Sequence, residues 1–110
     1  LLSACQHPKP MLMLSSDLYD FKEIAKNKHY RGSSVIKNTG NDTLKIFQIE
    51  ADCSCTQAYT TKNILLPDDT CKLNFTYDTQ NKQGLEEFYI CIYANTDSLV
   101  HLLKIRAFVN

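Results

Sequence analysis

Two cysteines one residue apart, Cys53 and Cys55, offer the clearest chemistry in this sequence. Such a pair can form a disulfide, act as a redox pair, or supply two thiolates to a metal. In an extended strand, both side chains would point to one face with α-carbons about 6.5–7 Å apart. A disulfide prefers about 5.5–6 Å, and one tetrahedral zinc ion also needs the two sulfurs to converge. Each use therefore requires a bend in the backbone at this point.

Three interpretations of the pair stay open on the sequence alone. As structural residues, the cysteines would be buried thiols or a bridge between neighbours, since a free cysteine packs as a small apolar residue. Free thiols are nevertheless unusual in an oxidising compartment. As a redox site, the pair lacks the Cys-x-x-Cys spacing and βαβ context of thioredoxin-like proteins. As a metal site it favours Cu(I), because no histidine or methionine has zinc-site spacing to it.

The other cysteines of the predicted domain are expected to remain single. Cys71 shares one face of an alternating segment with Leu73 and Phe75, which predicts an inward side chain. Cys91 alternates with Ile90, so it points outward if Ile90 points inward. A bridge between Cys71 and Cys91 is therefore not expected.

No catalytic constellation or cofactor site emerges from the remaining residues. His29 and His101 stand alone in the sequence, and no nucleophile–base pair or glycine-rich phosphate loop is present. Twelve basic residues balance twelve acidic ones, without the basic stripe of a nucleic-acid binder. Tyr77, Tyr89 and Tyr93 could form an exposed aromatic stripe for binding, or lie under a second covered face. We therefore predict a non-catalytic chain with no cofactor, no nucleic-acid partner and no identified small-molecule substrate.

The first residues differ in character from the rest. The segment Leu2-Ser3-Ala4-Cys5 resembles the lipobox of bacterial lipoproteins, and it would be the last part of a signal peptide. Cys5 would then carry the lipid, and residues 7–10, with two prolines, would be a stiff tether. Gln6 after the cysteine favours the periplasmic side of an outer membrane. The predicted organisation is residues 1–10 as signal end and tether, and residues 11–110 as one domain.

The elements that must position these residues read as β-strands. Residues 71–77 and 88–93 alternate in polarity, and residues 43–49 do so approximately. Turn clusters at residues 38–42, 67–69, 78–84 and 95–98 separate the strands, and Gly40 is free to take a positive φ. No long segment keeps a helical period. About seven short strands in about 100 residues predict an all-β, antiparallel sandwich of immunoglobulin type.

Several short motifs follow one another in a recognisable order. They are Tyr19-Asp20-Phe21, Lys37-Asn38-Thr39-Gly40-Asn41, Leu44, Ile46, Cys53-Ser54-Cys55-Thr56, Pro67, Tyr77-Asp78, Gly84 and Asn95. Together they resemble the DUF1573 family of bacterial immunoglobulin-like domains, common in Bacteroidetes and related to hydin-type modules. The resemblance covers roughly residues 18–109 and implies a secreted or periplasmic, often lipid-anchored sandwich without implying a reaction.

The chain departs from that family's pattern at four positions. Lys22, Ser54 and Asp68 stand where the family has glycine, and Ser34 stands where it has an aromatic residue. These departures bear on turn geometry more than on the fold.

Two short segments resemble the Asp-Ser/Thr-apolar acceptor of Bacteroidetes O-glycosylation. They place candidate glycan sites at Thr43 and Ser98, both in predicted turns. With these sites, the sequence predicts a lipid-anchored cell-envelope module that binds an unidentified protein partner. The alternative is a periplasmic thiol-redox or copper-handling protein that uses Cys53 and Cys55.

Overall fold

A computed structural model describes residues 7–110, which form nine β-strands without a helix. The strands are β1 (Leu12–Leu14), β2 (Leu18–Ile24), β3 (His29–Asn38), β4 (Leu44–Ala51), β5 (Thr56–Thr60), β6 (Ile64–Leu65), β7 (Thr70–Asp78), β8 (Gly84–Ala94) and β9 (Val100–Val109). Within this range no helix is long and apolar enough to cross a membrane.

The strands form two sheets packed face to face. A four-stranded sheet has the order β1-β3-β7-β5, and a five-stranded sheet has the order β2-β9-β8-β4-β6. The predicted β-sandwich is confirmed. It differs in two details from the expectation of about seven antiparallel strands: β1 and β6 add short edge strands of 3 and 2 residues, and β2 pairs with β9 in parallel.

Alternating apolar residues of the two sheets form the core. The residues with buried side chains on β7 and β8 are Cys71, Leu73, Phe75, Tyr77, Phe88, Ile90, Ile92 and Ala94. Full burial of one large apolar side chain contributes about 1.5–3 kcal/mol, so these strands dominate the stability of the sandwich. The inward position predicted for Cys71 is confirmed.

Tyr77 lies in this core, so of the two arrangements left open for the tyrosines it does not take part in an exposed stripe. Its ring packs 5.8 Å from that of Phe21 and 5.2 Å from that of Phe88. Residues 71–77 alternate strictly, and the inward face they define includes position 77. The Tyr77 hydroxyl is buried without a hydrogen-bond partner among the described residues. Burial, followed by the charge of Glu86, raises the pKa of Tyr77 to about 12.

A β-bulge explains the imperfect alternation of residues 43–49. The pairing of β4 with β8 shifts register between Ile46 and Gln48, which leaves Phe47 62% exposed. One extra residue in a strand lets Leu44, Ile46 and Ile49 all face inward despite their uneven spacing.

Two departures from the family pattern keep the backbone conformation of glycine. Lys22 has φ 67° and Asp68 has φ 72°, both in the left-handed region that glycine adopts at least cost. The N–H of Asp69 donates to the carbonyl of Leu66 at 2.9 Å, which closes a tight turn with Pro67 and Asp68 at its centre. A proline followed by a residue with positive φ is the signature of a type II turn.

Gly40 is needed for close backbone packing and not for a left-handed conformation. Its φ is not positive, but a Cβ there would lie 2.6 Å from the backbone nitrogen of Met11. The absence of a side chain lets residues 9–11 lie against the turn, where Asn41 donates its N–H to the Lys9 carbonyl at 3.0 Å. The segment before β1 is therefore hydrogen-bonded to the sandwich from Lys9 onward.

Candidate functional site

The Cys53–Cys55 segment forms the corner where the chain passes from the five-stranded to the four-stranded sheet. The corner, residues 52–55, lies between β4 and β5. The N–H of Thr56 donates to the Cys53 carbonyl at 3.1 Å and closes a turn, and the N–H of Asp78 donates to the Cys55 carbonyl at 2.9 Å. These bonds fix both cysteines to the ends of strands.

Cys53 and Cys55 are bonded to each other as a disulfide. Their α-carbons lie 5.1 Å apart, so the turn supplies the bend that the sequence required. In this oxidised state neither sulfur is a thiolate, the form that Cu(I) would need. Residues 7–110 also hold no group of three histidine, cysteine or acidic side chains placed to bind a metal.

The disulfide closes a very short loop. The two cysteines are separated by 2 positions, and the chain-entropy relation gives about 1.6 kcal/mol for a loop of this size. A 15-residue loop would give about 3 kcal/mol by the same relation. The disulfide therefore contributes little to the stability of a sandwich that already buries a large core.

A small cleft of about 170 Å³ opens beside Cys55. Its lining residues are His29, Ser54, Cys55, Gln57, Thr76 and Asp78. The His29 Nε2 lies 3.6 Å from the Asp78 Oδ2, because the register of β3 on β7 places these residues opposite each other. The approach of His29 to the cysteine pair could not be predicted from sequence spacing, since strand register brings them together.

A second candidate site is the outer face of the five-stranded sheet. The pairing of β8 with β9 sets Tyr89 beside Lys104, Cys91 beside Leu102, and Tyr93 beside Val100. Tyr89 is 38% exposed and Leu102 47%. The side chains of β8 and β9 that point away from the core thus form an apolar surface, here called the β8–β9 face. Its residues are Tyr89, Cys91, Tyr93, Val100 and Leu102.

One end of the β8–β9 face is charged. Arg106 Nε donates to Glu87 Oε2 at 2.8 Å, and Lys104 Nζ lies 3.4 Å from the same oxygen. The hydrogen bond from Arg106, assisted by Lys104, holds the pKa of Glu87 below its usual range. A charged border next to an apolar centre is the usual anatomy of a protein interface.

Cys91 lies within the β8–β9 face as a single thiol. The outward position predicted for it is confirmed, and neither Cys91 nor Cys71 is in a disulfide. Burial raises the pKa of the Cys91 thiol, and the nearby carboxylates of Asp52 and Glu50 raise it further. This thiol is therefore protonated and weakly nucleophilic near neutral pH.

The outer face of the four-stranded sheet has the opposite character. The side chains that alternate with its core residues are mostly polar or charged: Arg31, Ser33, Lys72, Asn74, Thr76 and Gln57. Here Met13, Val35 and Tyr59 are the large exposed apolar residues.

The candidate glycan sites lie close together at one end of the sandwich. Asn95 joins their two loops, because its Nδ2 donates to the Thr43 carbonyl at 3.2 Å and its Oδ1 accepts from the Lys45 N–H at 2.8 Å. Thr43 is half-buried, whereas Ser98 is exposed. The predicted lipid carrier, Cys5, lies outside the described residues.

The His101 side chain has a hydrogen-bond partner and no catalytic neighbour among the described residues, in keeping with its isolation in the sequence. Its Nε2 lies 2.7 Å from the hydroxyl of Thr96, and burial lowers its pKa. No nucleophile–base pair with a third, orienting group is formed there among the described residues.

The two sheets define an immunoglobulin-like β-sandwich. The chain belongs to the family described as "Protein of unknown function (DUF1573)", which it matches over residues 12–109. The resemblance noted in the sequence is thus confirmed at the level of the family. No curated protein matches the chain.

Solved structures support the same fold. A protein of unknown function from Porphyromonas gingivalis W83 superposes with a TM-score of 0.82 at 18% identity, over 97% of this chain and 49% of that one. A PapD-like domain of human CEP192 gives 0.68 at 9% identity, over 100% and 92%. The Vibrio cholerae VesB protease gives 0.69 at 10% identity, over 90% and 31%. The chain therefore spans about half of the Porphyromonas protein and a smaller part of the protease.

Proposed function

We propose that this chain is a non-catalytic binding module of the cell envelope that holds a protein partner on the β8–β9 face. The observation that carries the proposal is the row of apolar side chains on the two central strands of the five-stranded sheet. Contiguous exposed apolar surface on a soluble domain marks an interaction site more often than single exposed residues do.

The position of this face in the fold suits it for binding. β8 and β9 pair over ten residues, from Gly84 with Val109 to Tyr93 with Val100, so the surface is held by a continuous ladder. Their alternate side chains, such as Ile90 and Leu103, are buried in the core. A surface fixed in this way loses little conformational entropy on binding. Tyrosines on it supply large contact area with few rotatable bonds.

The proposed location in the cell envelope rests on the sequence and the family. The resemblance of residues 2–5 to a lipobox supports a lipid on Cys5, in a Bacteroidetes-type lipoprotein on the periplasmic side of the outer membrane. A protein held near a membrane in this way meets its partner at high effective concentration, so even a modest affinity is sufficient.

Substitution of one residue in the β8–β9 face tests the binding proposal. A photo-crosslinking residue at position 102 in the native envelope identifies the partner, and purified partner is then titrated with Leu102→Glu. We expect affinity to fall by about 30-fold or more, because a buried carboxylate at an interface centre costs about 2 kcal/mol or more. Ser33→Glu, on the outer face of the four-stranded sheet, is the matched control and should bind normally. Equal loss in both variants, or in neither, contradicts the proposal.

The lipid anchor is tested separately. Intact mass of the protein from its native envelope should show acyl chains on Cys5, and Cys5→Ser should release the chain into the soluble fraction. A soluble wild-type protein with a free Cys5 thiol contradicts the anchor but leaves the binding face untouched.

A further inference from the structure

The two sulfurs of the corner disulfide have different surroundings. Cys55 lines the cleft that also contains His29 and Asp78, whereas Cys53 is not part of its lining. The backbone N–H of Cys55 donates to the Cys53 Sγ at 3.3 Å. The Thr56 hydroxyl lies 3.6 Å from the Cys55 Sγ, which in the disulfide can only accept its hydrogen bond. Both sulfurs therefore accept a hydrogen bond, and Cys55 is the one that borders the cleft.

This asymmetry matters for thiol–disulfide exchange. The attacking thiolate must reach one sulfur, and the other must leave with the negative charge. A hydrogen bond from a backbone N–H stabilises a thiolate, which makes it a better leaving group. Attack at Cys55 with departure of Cys53 meets both requirements, whereas in the reverse order the attacked sulfur does not border the cleft.

We propose that the Cys53–Cys55 disulfide is a thiol–disulfide exchange site that accepts electrons from a dithiol, with Cys55 as the sulfur attacked. In the first step a dithiol sulfur bonds to Cys55 Sγ, the S–S bond breaks, and its electron pair leaves on Cys53. In the second step the other dithiol sulfur attacks its own partner in the mixed disulfide and releases Cys55. The dithiol becomes a disulfide, and the protein gains two electrons and two protons.

His29 is placed to handle the proton of the first step. Its ring is 70% exposed at the rim of the cleft, with Nε2 3.6 Å from the Asp78 carboxylate. Of the residues that line the cleft, His29 and Asp78 are the ones that can carry charge, and Arg31 lies two positions along on the same face of β3. Neutral imidazole can take the proton of a thiol that enters the cleft, and solvent can supply the proton that the Cys53 thiolate gains.

The sandwich can survive reduction of the pair. The bonds from Thr56 to the Cys53 carbonyl and from Asp78 to the Cys55 carbonyl involve only the backbone. Neither depends on the S–S bond, so the corner keeps its turn when the sulfurs separate. A site that cycles between two redox states needs a backbone that keeps its hydrogen bonds in both states.

Reduction kinetics of the full chain test the proposal. The tryptic peptide of residues 46–62 contains Cys53 and Cys55 as its two cysteines, so alkylation followed by mass spectrometry reports this pair alone. Folded protein should react with dithiothreitol at least about tenfold faster than the same chain unfolded in guanidinium. His29→Gln should slow the folded reaction several-fold near pH 7, and the control His101→Gln should not.

Trapping of the mixed disulfide decides which sulfur is attacked. Wild-type protein is mixed with reduced glutathione, a monothiol, and alkylated after short times. Fragmentation mass spectrometry should find glutathione on Cys55 and the alkyl group on Cys53 in about tenfold excess over the reverse arrangement. Equal amounts of the two mixed disulfides overturn the order of attack. A folded pair that reacts no faster than the unfolded chain, or a His29→Gln variant that behaves as His101→Gln does, overturns the site. The trapping experiment uses the wild-type chain, so it tests the proposal even where a histidine variant fails to fold.

Discussion

On both outer faces of this sandwich, exposed side chains alternate along each strand with buried ones. The two faces differ in the polarity of those exposed side chains. On the four-stranded sheet the side chains opposite the core are mostly polar, as with Ser33 and Asn74. On the five-stranded sheet the outward side chains of β8 and β9 are tyrosines and aliphatic residues around Cys91, with Glu87, Lys104 and Arg106 at one end. Solvent exposure alone would favour polar residues on both faces. The difference is the reason for our proposal that a partner covers the β8–β9 face.

The largest expected change in the free energy of unfolding distinguishes buried from exposed side chains of the five-stranded sheet. Ile90 is fully buried and Tyr89, its neighbour on β8, is 38% exposed. Ile90→Ala should lower the free energy of unfolding by about 2–5 kcal/mol, because it leaves a cavity in the core. Tyr89→Ala should lower it by less than about 1 kcal/mol. Denaturant titration of both variants checks this, and similar losses would contradict the assignment of the two faces.

The corner between the sheets gives the next largest effect. Replacing both Cys53 and Cys55 by serine should lower the free energy of unfolding by about 1.6 kcal/mol, the chain-entropy value for so short a loop. Thermal unfolding with and without reductant measures it, and reductant should change the wild type but not the variant. Complete unfolding of the double variant would show that the disulfide is an essential staple, contrary to this account.

A gain in stability is expected on the inner face of the four-stranded sheet. The Tyr77 hydroxyl is buried without a partner, so Tyr77→Phe should raise the free energy of unfolding by about 1 kcal/mol. Tyr93→Phe, on the β8–β9 face, is the control and should change little, since its hydroxyl position is open to water. A loss of stability in Tyr77→Phe would mean that the hydroxyl is satisfied in solution.

The smallest effect concerns backbone strain at a sheet edge. Lys22 has φ 67°, so Lys22→Gly should stabilise the protein by about 0.5 kcal/mol. Lys72, an exposed residue of β7 with ordinary φ, should lose about 0.5–1 kcal/mol when replaced by glycine. Opposite signs in chemical denaturation are the expected outcome, and equal signs would contradict the left-handed conformation at Lys22.

Much of the sandwich could be predicted from the sequence, because alternation within one strand is a local property. Residues 71–77 fixed the inward position of Cys71, and the bend needed at Cys53 and Cys55 followed from strand geometry. The pairing between strands was not predictable in the same way. The parallel partnership of β2 with β9 and the approach of His29 to Cys55 depend on register across the sheet, which no single segment encodes.

The native thiol of Cys91 offers the most direct test of the central claim, that the β8–β9 face is covered by a partner. The measurement is the alkylation rate of Cys91 in the intact envelope divided by its rate in the purified protein, at one pH because burial raises the pKa of this thiol. A cysteine introduced by Ser33→Cys on the opposite face serves as the reference. We expect protection of Cys91 by about tenfold or more, as for an interface centre, and none at position 33. Equal reactivity of Cys91 in both preparations would contradict the account.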